Sequence, residues 1–456
     1  MPGRATSIPT YQRIKTKHTH SMRTRLAFLP AVALLLLAQP LHADSLTDVY
    51  ALAQQHSPQL QAASAASVAS AQRKRQALAQ FLPQARFGAN LSAAWKQTGS
   101  LSQDVNSSGY SLNLTQPVYY QERFHQYAQA DSRLAQSEAE LEAARRELLL
   151  TVAERYFEVL AAIDNREFTS AEKQAIGRQM EQTKQRFDVG LIAITDVHEA
   201  QAAFDLAVAQ EIEAENLLAS AREGLRELTG QYHNNLSALT DNVPLVSPEP
   251  ADIQKWIDTA LRQNYRLQAV QYGVDAAREE IRSQRAGHFP TVDVVAGHDY
   301  SAEGGLRIGA GDGSFTNTSI SLQLNLPLYS GGATVARTKE AEALYDQASA
   351  SLEEQRRAIQ RRTSESYLKI FTTISRVKAL KQALTSTQSA LTASEAGLEV
   401  GTRTTVDVLN TRRDLFRARR DHARARYDYV LNTLRLKEAA GQLALAELQQ
   451  VNAWLK

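Results

Sequence analysis

Two long stretches without proline constrain the fold more than any other feature of this sequence. All twelve prolines lie at or before Pro327, and none falls between Pro117 and Pro244 or after Pro327. Proline breaks helices because it lacks a backbone donor and its ring clashes with the preceding turn. The two tracts can therefore form very long helices, and one helix over residues 120–187 would be about 100 Å long at about 1.5 Å per residue.

The chain contains one pattern twice. The segment SLNLTQPVY at 111–119 resembles SLQLNLPLY at 321–329, and FDVG ending at Gly190 resembles LEVG ending at Gly401. A proline-rich segment, VPLVSPEP, separates the two copies and reads as a linker. We therefore expect an upstream extension with a signal peptide, a first repeat, a linker and a second repeat, over residues 1–43, 44–242, 243–250 and 251–456.

Each repeat predicts a helix, two strands and a long helical hairpin. A helix over 46–80 or 251–287 leads to a proline, after which apolar residues alternate with polar or small ones, as in a strand. A second alternating run precedes each proline-free tract. In the second tract, apolar residues recur every seven positions, which predicts a coiled-coil packing face: Val377, Leu384, Leu391 and Leu398.

The four strands have the pattern of outer-membrane barrel strands, which are about ten residues long. Four strands cannot close a barrel, so an open sheet in hydrocarbon would leave unpaired backbone groups at two edges. Other copies of the chain would have to complete it. The alternative is a small soluble sheet packed on the helices. A secretory signal, the lack of a spanning apolar segment and Gly/Ser/Asn-rich loops between the strands favour the barrel.

The signal peptide is MRTRLAFLPAVALLLLAQPLHA at 22–43, with two arginines, a short apolar core and a final Ala43. Its apolar core of roughly a dozen residues is shorter than the ~20 that a spanning helix needs. We hypothesise that Met22 is the true start and that residues 1–21 are not translated.

Composition excludes several other classes of function. The chain has no cysteine, so disulfides, thiolate metal sites and a cysteine nucleophile are ruled out. Six Lys or Arg and no acidic residue fall within 1–43, so the remainder is acidic overall and offers no basic patch for nucleic acid. The histidines form no HExxH motif or catalytic spacing, so we expect no metal, no cofactor, no catalytic residue and no enzyme activity.

Four stretches together carry a family resemblance: FDVGLIAITDV (187–197), LPLYSGG (326–332), VGTRTTVDVLN (400–410) and ARYDYVLNTLRLKEAAG (425–441). With the duplicated halves, they make the sequence resemble the TolC-type outer-membrane efflux and type I secretion channels over about residues 44–450. The resemblance implies a mostly α protein with transmembrane β-strands. Four strands per chain would complete a trimeric twelve-stranded barrel, continuous with a long periplasmic α-helical barrel.

The resemblance also implies how such a protein works. It would be a passive exit duct in the outer membrane, acting with a periplasmic adaptor and an energised inner-membrane transporter, either ABC-type or proton-driven. Its periplasmic tip would close by inward coiling of helices and open when they separate.

The turns at Gly190 and Gly401 should each join two antiparallel helices, because glycine adopts the positive φ that ends a helix. Thr195 and Asp196 follow the first turn and would be natural caps for the next helix. By the resemblance, Asp196 also pairs with Arg403 across subunits as a gate latch, assisted by Thr195. Simple capping is the alternative for these residues.

Other gate residues follow from the same resemblance. Leu398 stands where the family often has a tyrosine that bonds the acidic latch residue, so one latch contact should be missing. Secondary links would join Glu395 to Gln179, and Arg426 to Thr183.

Asp407 and Asn410 lie three residues apart on one predicted helix face. Three copies around a narrow pore would form a carboxylate ring that selects cations. The family has a second aspartate where this chain has Asn410, so the selectivity should be weaker. A solvated aspartate on a helix surface is the alternative.

Two other classes of function remain as alternatives. A periplasmic coiled-coil adaptor or scaffold would lack lipid-facing strands. A periplasmic hydrolase would need a catalytic constellation that the sequence does not offer.

Overall fold

The computed structural model describes residues 43–98, 101–304 and 313–456. The predicted signal peptide, apart from Ala43, lies outside the described residues, as does the whole segment between the third and fourth strands. The elements, in chain order, are α1 (Leu46–His56), α2 (Pro58–Ala79), β1 (Gln84–Thr98), β2 (Leu101–Tyr120), α3 (Gln121–Asp188), α4 (Ile194–Thr229), α5 (Ile253–Gln263), α6 (Tyr265–Arg285), β3 (Thr291–Gly304), β4 (Gly313–Asn325), α7 (Ala333–Glu399), α8 (Thr405–Ala439) and α9 (Leu445–Asn452).

The predicted fold class is confirmed as mostly helical with four antiparallel strands. Two short helices, two strands and two long helices occur in the same order in each half, and α9 follows the second set. The proline-free tracts hold α3, of 68 residues, and α7, of 67 residues. The division into two repeats at the linker stays a prediction.

The first helix of each half is split in two, where the sequence predicted one continuous helix. Ser57 ends α1 and caps α2, and Pro58 occupies the first position of α2. Asn264 does the same between α5 and α6, since its side chain accepts from the backbone N–H groups of Arg266 and Leu267. Side chains that cap a new helix favour a break at these points.

The sheet has the strand order β1-β2-β3-β4, with every neighbouring pair antiparallel. The strands are longer than the predicted ten residues: β1 has 15 and β2 has 20. β2 continues past Pro117, where a register shift against β3 accommodates the missing N–H.

The two faces of the sheet differ in polarity. One row across all four strands is apolar, and the adjacent row, which points to the opposite face, is polar or small. The apolar row is Ala85, Leu114, Ala296 and Ile320. The polar row is Arg86, Asn113, Gly297 and Ser319. Large side chains on the apolar face are exposed in the single chain, including Leu91 at 88% and Ile320 at 78%.

The main core forms where the middle of α3 meets the second half of α8, α1, α9 and the linker. Tyr156 is fully buried there, and its hydroxyl donates to the backbone carbonyls of Asp44 and Ser237 at 3.1 and 2.8 Å. Burial raises the pKa of Tyr156, so its hydroxyl stays protonated and can act as this donor. This core holds α3, α7 and α8 together near the middle of α3.

Two smaller apolar clusters lie nearer the glycine turns. Ile176 of α3 packs with alanines of α4 and with Leu409 of α8. Leu391 of α7 packs with Val408 and Leu415 of α8, with Leu384 and Leu398 partly buried against them. The predicted seven-residue packing face of α7 is therefore confirmed. No helix among the described residues has the length and apolarity to cross a bilayer.

Candidate functional site

The two hairpin turns at the far ends of the long helices have the same backbone geometry. Gly190 and Gly401 have φ values of +76° and +77°. In the first turn, the N–H of Leu191 donates to Arg186 at 2.9 Å, and the N–H of Gly190 donates to Phe187 at 2.8 Å. These are the two bonds of a Schellman motif, which satisfies the last helical carbonyls. The predicted role of both glycines is therefore confirmed.

The second turn has the same pair of bonds. The N–H of Thr402 donates to Gly397 at 2.8 Å, and that of Gly401 donates to Leu398 at 3.3 Å. An added Cβ would meet nothing within 4 Å at either Gly190 or Gly401. The positive φ alone therefore requires glycine at these two positions.

The helix that leaves the second turn begins with a capping box. Thr404 is the N-cap of α8, and its hydroxyl accepts from the N–H of Asp407 at 3.2 Å. Asp407 Oδ2 accepts in return from the Thr404 N–H at 2.9 Å and from its hydroxyl at 3.0 Å. These bonds, with Arg403 nearby, hold the pKa of Asp407 below its usual range. Asp407 therefore stays ionised, with Oδ1 outside the capping box.

The helix that leaves the first turn lacks such a cap. α4 begins at Ile194, and Ala193 is its N-cap without a side-chain hydrogen bond. The prediction that Thr195 and Asp196 cap this helix is wrong, because both lie inside its first turn. Asp196 occupies the same third helical position as Asp407, but its carboxylate makes no hydrogen bond among the described residues.

The remaining predicted latch residues lie on the second hairpin. Arg403 is exposed, directly before the N-cap of α8. Leu398 instead packs in its own hairpin, against the cluster that contains Val408. No hydrogen bond or ion pair joins Asp196 to Arg403 among the residues that the structure describes. A latch between them would have to form between subunits, as the resemblance implied.

The predicted pair Gln179 and Glu395 faces one groove but forms no direct hydrogen bond among the described residues. A cavity of about 300 Å³ between α3, α7 and α8 is lined by both residues. Glu395 Oε1 accepts instead from Arg412 Nη2 at 2.6 Å, and Arg412 Nη1 donates to the carbonyl of Ala175 at 3.0 Å. Sequence reasoning missed Arg412. Its place between Val408 and Leu415 could have revealed it, since an arginine on an inward helix face requires acceptors.

The predicted link between Arg426 and Thr183 is wrong. Arg426 Nη1 donates to Asp241 at 2.6 Å and to the carbonyl of Thr240 at 3.3 Å. The next residue, Tyr427, bonds Asp164 of α3, which places Arg426 about 28 Å along the helix from Thr183. Rotation about a symmetry axis parallel to the helices does not change the position of a residue along that axis. Arg426 of one subunit would therefore be equally far from Thr183 of another.

Polar contacts join α8 to α3 along much of their shared length. Arg420 pairs with the buried Glu172 at 3.1 Å, and the Tyr427 hydroxyl donates to Asp164 at 2.6 Å. Farther from the turns, Arg435 pairs with Glu154 at 2.8 Å. Burial raises the pKa of Glu172 and of Asp164, while their partners oppose that shift.

Asn410 lies on α8 three residues after Asp407, with its side chain exposed. Residues three apart lie on one face of a helix, so Asp407 and Asn410 share a face of α8. Among the described ranges, no group of three or more His, Asp or Glu side chains could hold a metal ion.

Comparisons with known proteins give one consistent result. The family model described as "Outer membrane efflux protein" matches residues 49–231 and 256–442. The outer membrane protein TolC of Vibrio cholerae is 37% identical, with 95% of this chain and 99% of that protein covered. The alkaline protease secretion protein AprF of Pseudomonas aeruginosa is 29% identical, with 95% and 92% covered. The CmeC outer membrane channel of Campylobacter jejuni has a similar fold, with a TM-score of 0.76 at 16% identity over 90% of each chain.

Proposed function

The chain belongs to the outer membrane efflux protein family, and from this premise we propose that three copies assemble into one channel. The protein is an outer-membrane exit duct for efflux and type I secretion, and it is not an enzyme. It serves systems that include an adaptor and a transporter. We propose that the adaptor is periplasmic and that the transporter is an inner-membrane ABC-type or proton-driven protein.

The proposal of a trimer depends on one observation, the open four-stranded sheet. β1 and β4 are its outer strands, and neither has a second strand partner among the described residues. Large side chains of the apolar face are exposed on β1, β2 and β4, and the residues of this face on β3 are partly exposed. In lipid this face would be favourable, whereas two unpaired edges would cost several kcal/mol per group. Pairing β1 of one copy with β4 of the next satisfies both edges, and three copies give twelve strands. The polar face then lines the duct.

Cysteine cross-linking tests this arrangement directly, because the chain has no cysteine of its own. Asn90→Cys on β1 would be combined in turn with single cysteines along the polar face of β4, since both strands lie at sheet edges. We expect at least one combination to give covalent trimers in outer-membrane fractions. The pair Ser92→Cys and Ser107→Cys is the matched control, because these hydroxyls are 2.6 Å apart within one chain. That control should cross-link without any increase in mass, and intrachain products alone from every β1–β4 combination would contradict the trimer.

We also propose that the turns form a gate. Asp196 of one subunit would pair with Arg403 of the next, with Thr195 assisting. Both charged groups lie beside the turns, and among the described residues no hydrogen bond or ion pair of Asp196 would compete with the latch. Leu398 packs into its own hairpin and contributes no polar contact, so this latch has fewer bonds than a tyrosine there would allow.

Asp407 supplies the charge of the proposed selectivity ring. Its carboxylate stays ionised, and three copies around a narrow opening would attract cations. Asn410 adds no charge to the ring. The alternative function, a periplasmic adaptor or scaffold, is disfavoured by the wide exposed apolar face of the sheet.

A further inference from the structure

Arg412 joins three helices near the glycine turns. It lies on α8, donates from Nη1 to the carbonyl of Ala175 on α3, and donates from Nη2 to Glu395 on α7. These distances are 3.0 and 2.6 Å, and 13% of the arginine side chain is exposed. Arginine suits this role, because its planar guanidinium can bond two acceptors in fixed directions.

Its position along the helix makes this contact distinctive. Arg412 lies seven residues after Thr405, the first residue of α8, which is about 11 Å along the axis. The next polar contact between α8 and α3 is the Arg420–Glu172 pair, about 12 Å farther from the turns. Among the hydrogen bonds of the described residues, Arg412 therefore makes the α3–α8 contact nearest the turns.

Each hairpin near the turns has its own apolar packing that does not require Arg412. The α7–α8 hairpin is packed by the cluster around Leu391 and Val408. The α3–α4 hairpin is packed by Ile176 and the alanines of α4. Leu409 is the α8 residue that reaches this second cluster. The two hairpins are thus joined at this end by a small apolar contact and by the single bond from Arg412 to the carbonyl of Ala175, since the bond to Glu395 lies within the α7–α8 hairpin.

We propose that Arg412 is a positioning residue of the gate, which holds the α7–α8 hairpin against α3 in the closed channel. This inference rests on the proposed gating by the turns and adds to the latch a contact within each subunit. Opening that moves the α7–α8 hairpin away from α3 has to break the bond to Ala175. One hydrogen bond from a charged donor is strong enough that its loss should raise the ratio of open to closed channels about tenfold.

The test compares variants of the full-length assembled channel in planar bilayers, with Arg412→Ala as the main variant. We expect longer or more frequent openings and a higher mean conductance, and in cells a greater uptake of large hydrophilic antibiotics. Arg412→Lys should be intermediate, because an ammonium group retains the charge but not the paired geometry of the two bonds.

Arg419→Ala is the matched control. Arg419 lines the same groove and bonds Gln388 of α7 at 3.2 Å, but it makes no hydrogen bond to α3. It should leave conductance close to that of the wild type. An equal increase in both alanine variants would indicate general loosening of the hairpin and would overturn the proposal.

Two further variants separate this inference from the proposed function. Glu395→Gln keeps a neutral acceptor for Arg412, so it should assemble and should raise conductance by less than Arg412→Ala. Arg403→Ala tests the latch alone. If Arg403→Ala opens the channel while Arg412→Ala and Glu395→Gln leave it unchanged, then α3 and α8 move together and the role of Arg412 is refuted. Absence of any channel current from the wild-type protein would refute the proposed function instead.

Discussion

Asp196 and Asp407 occupy the third residue of α4 and α8, but only Asp407 is bonded within a capping box. The difference arises three residues earlier, where the first hairpin has Ala193 and the second has Thr404. The two turns are otherwise alike, with the same Schellman bonds and the same positive φ. The carboxylate of Asp407 is therefore oriented by its own helix, whereas that of Asp196 is not held by a capping bond.

Thr404→Ala should change the titration of the channel. The variant loses the hydroxyl that caps α8, which should lower the free energy of unfolding by about 1 kcal/mol. The bonds that hold the pKa of Asp407 low would weaken, so its charge should be lost at a higher pH as the solution is acidified. We expect the cation preference, measured from reversal potentials in a salt gradient, to fall at a higher pH than in the wild type. Thr404→Ser should restore the wild-type profile, and identical profiles in all three proteins would contradict this role.

Ala193→Thr should add to the first hairpin the N-cap that Thr404→Ala removes from the second. Ala193 has the extended backbone of an N-cap, with φ −81° and ψ 155°, so threonine fits without strain. The new hydroxyl would form a capping box with Asp196 and draw its carboxylate away from Arg403 of the neighbouring subunit. We expect a more stable helix but a weaker latch, seen as a higher mean conductance. Ala193→Val keeps the side-chain shape without the hydroxyl and should not raise conductance. A conductance unchanged by threonine would argue against Asp196 as a latch residue.

Asp407 and Asn410 should respond oppositely to changes of charge. Asp407→Ala removes the proposed ring and should reduce the preference for cations in reversal-potential measurements. Asn410→Asp adds a second carboxylate per subunit, three residues along the helix, and should increase that preference. Asp258→Ala, on α5 and far from the turns, is the control for a general change in charge. If Asp407→Ala retained full selectivity, the aspartate would be an ordinary helix-surface residue.

The buried Glu172 should give the folded channel a specific dependence on pH. Burial raises its pKa above the value in the unfolded chain, so its contribution to stability is fully present below the unfolded pKa, about 4.3. That contribution is lost as the pH rises through the folded pKa. Glu172→Gln removes the titration, so thermal unfolding should vary less across this range than in the wild type. Glu181→Gln, an exposed change on the same helix, should keep the wild-type slope, and two parallel curves for Glu172→Gln and wild type would refute the prediction.

The fold was predictable where a single local rule decided the structure. Proline placement alone located the long helices, because one proline would have broken either of them. The alternation in the strands predicted a sheet with one apolar face, and Gly190 and Gly401 were found because only a positive φ closes those turns. The short helices were less predictable. Ser57 and Asn264 break them through side-chain capping bonds that a periodic pattern does not reveal.

The candidate site was predicted less completely, because its contacts join distant parts of the chain. Arg412 reaches Ala175 across more than two hundred residues of sequence, and no local pattern specifies that distance. Arg426 illustrates the opposite error. A matched position suggested a partner near the turns, but the height of Arg426 on α8 places it beside Asp241. The rise per residue of the helix sets how far along α8 Arg426 lies, and matching residues between sequences does not take this distance into account.

The two unpaired edges of the sheet have a consequence for cells that express an intact and a damaged version of this protein together. In the proposed assembly every subunit supplies one edge to each neighbour, so one subunit with a damaged β1 or β4 leaves the whole ring open. A damaged copy expressed beside an intact one would therefore disable far more than half of the assemblies. Such mutations would therefore be dominant. Deletion of one of two gene copies, by contrast, would only halve the number of subunits, and the assemblies that form would be intact.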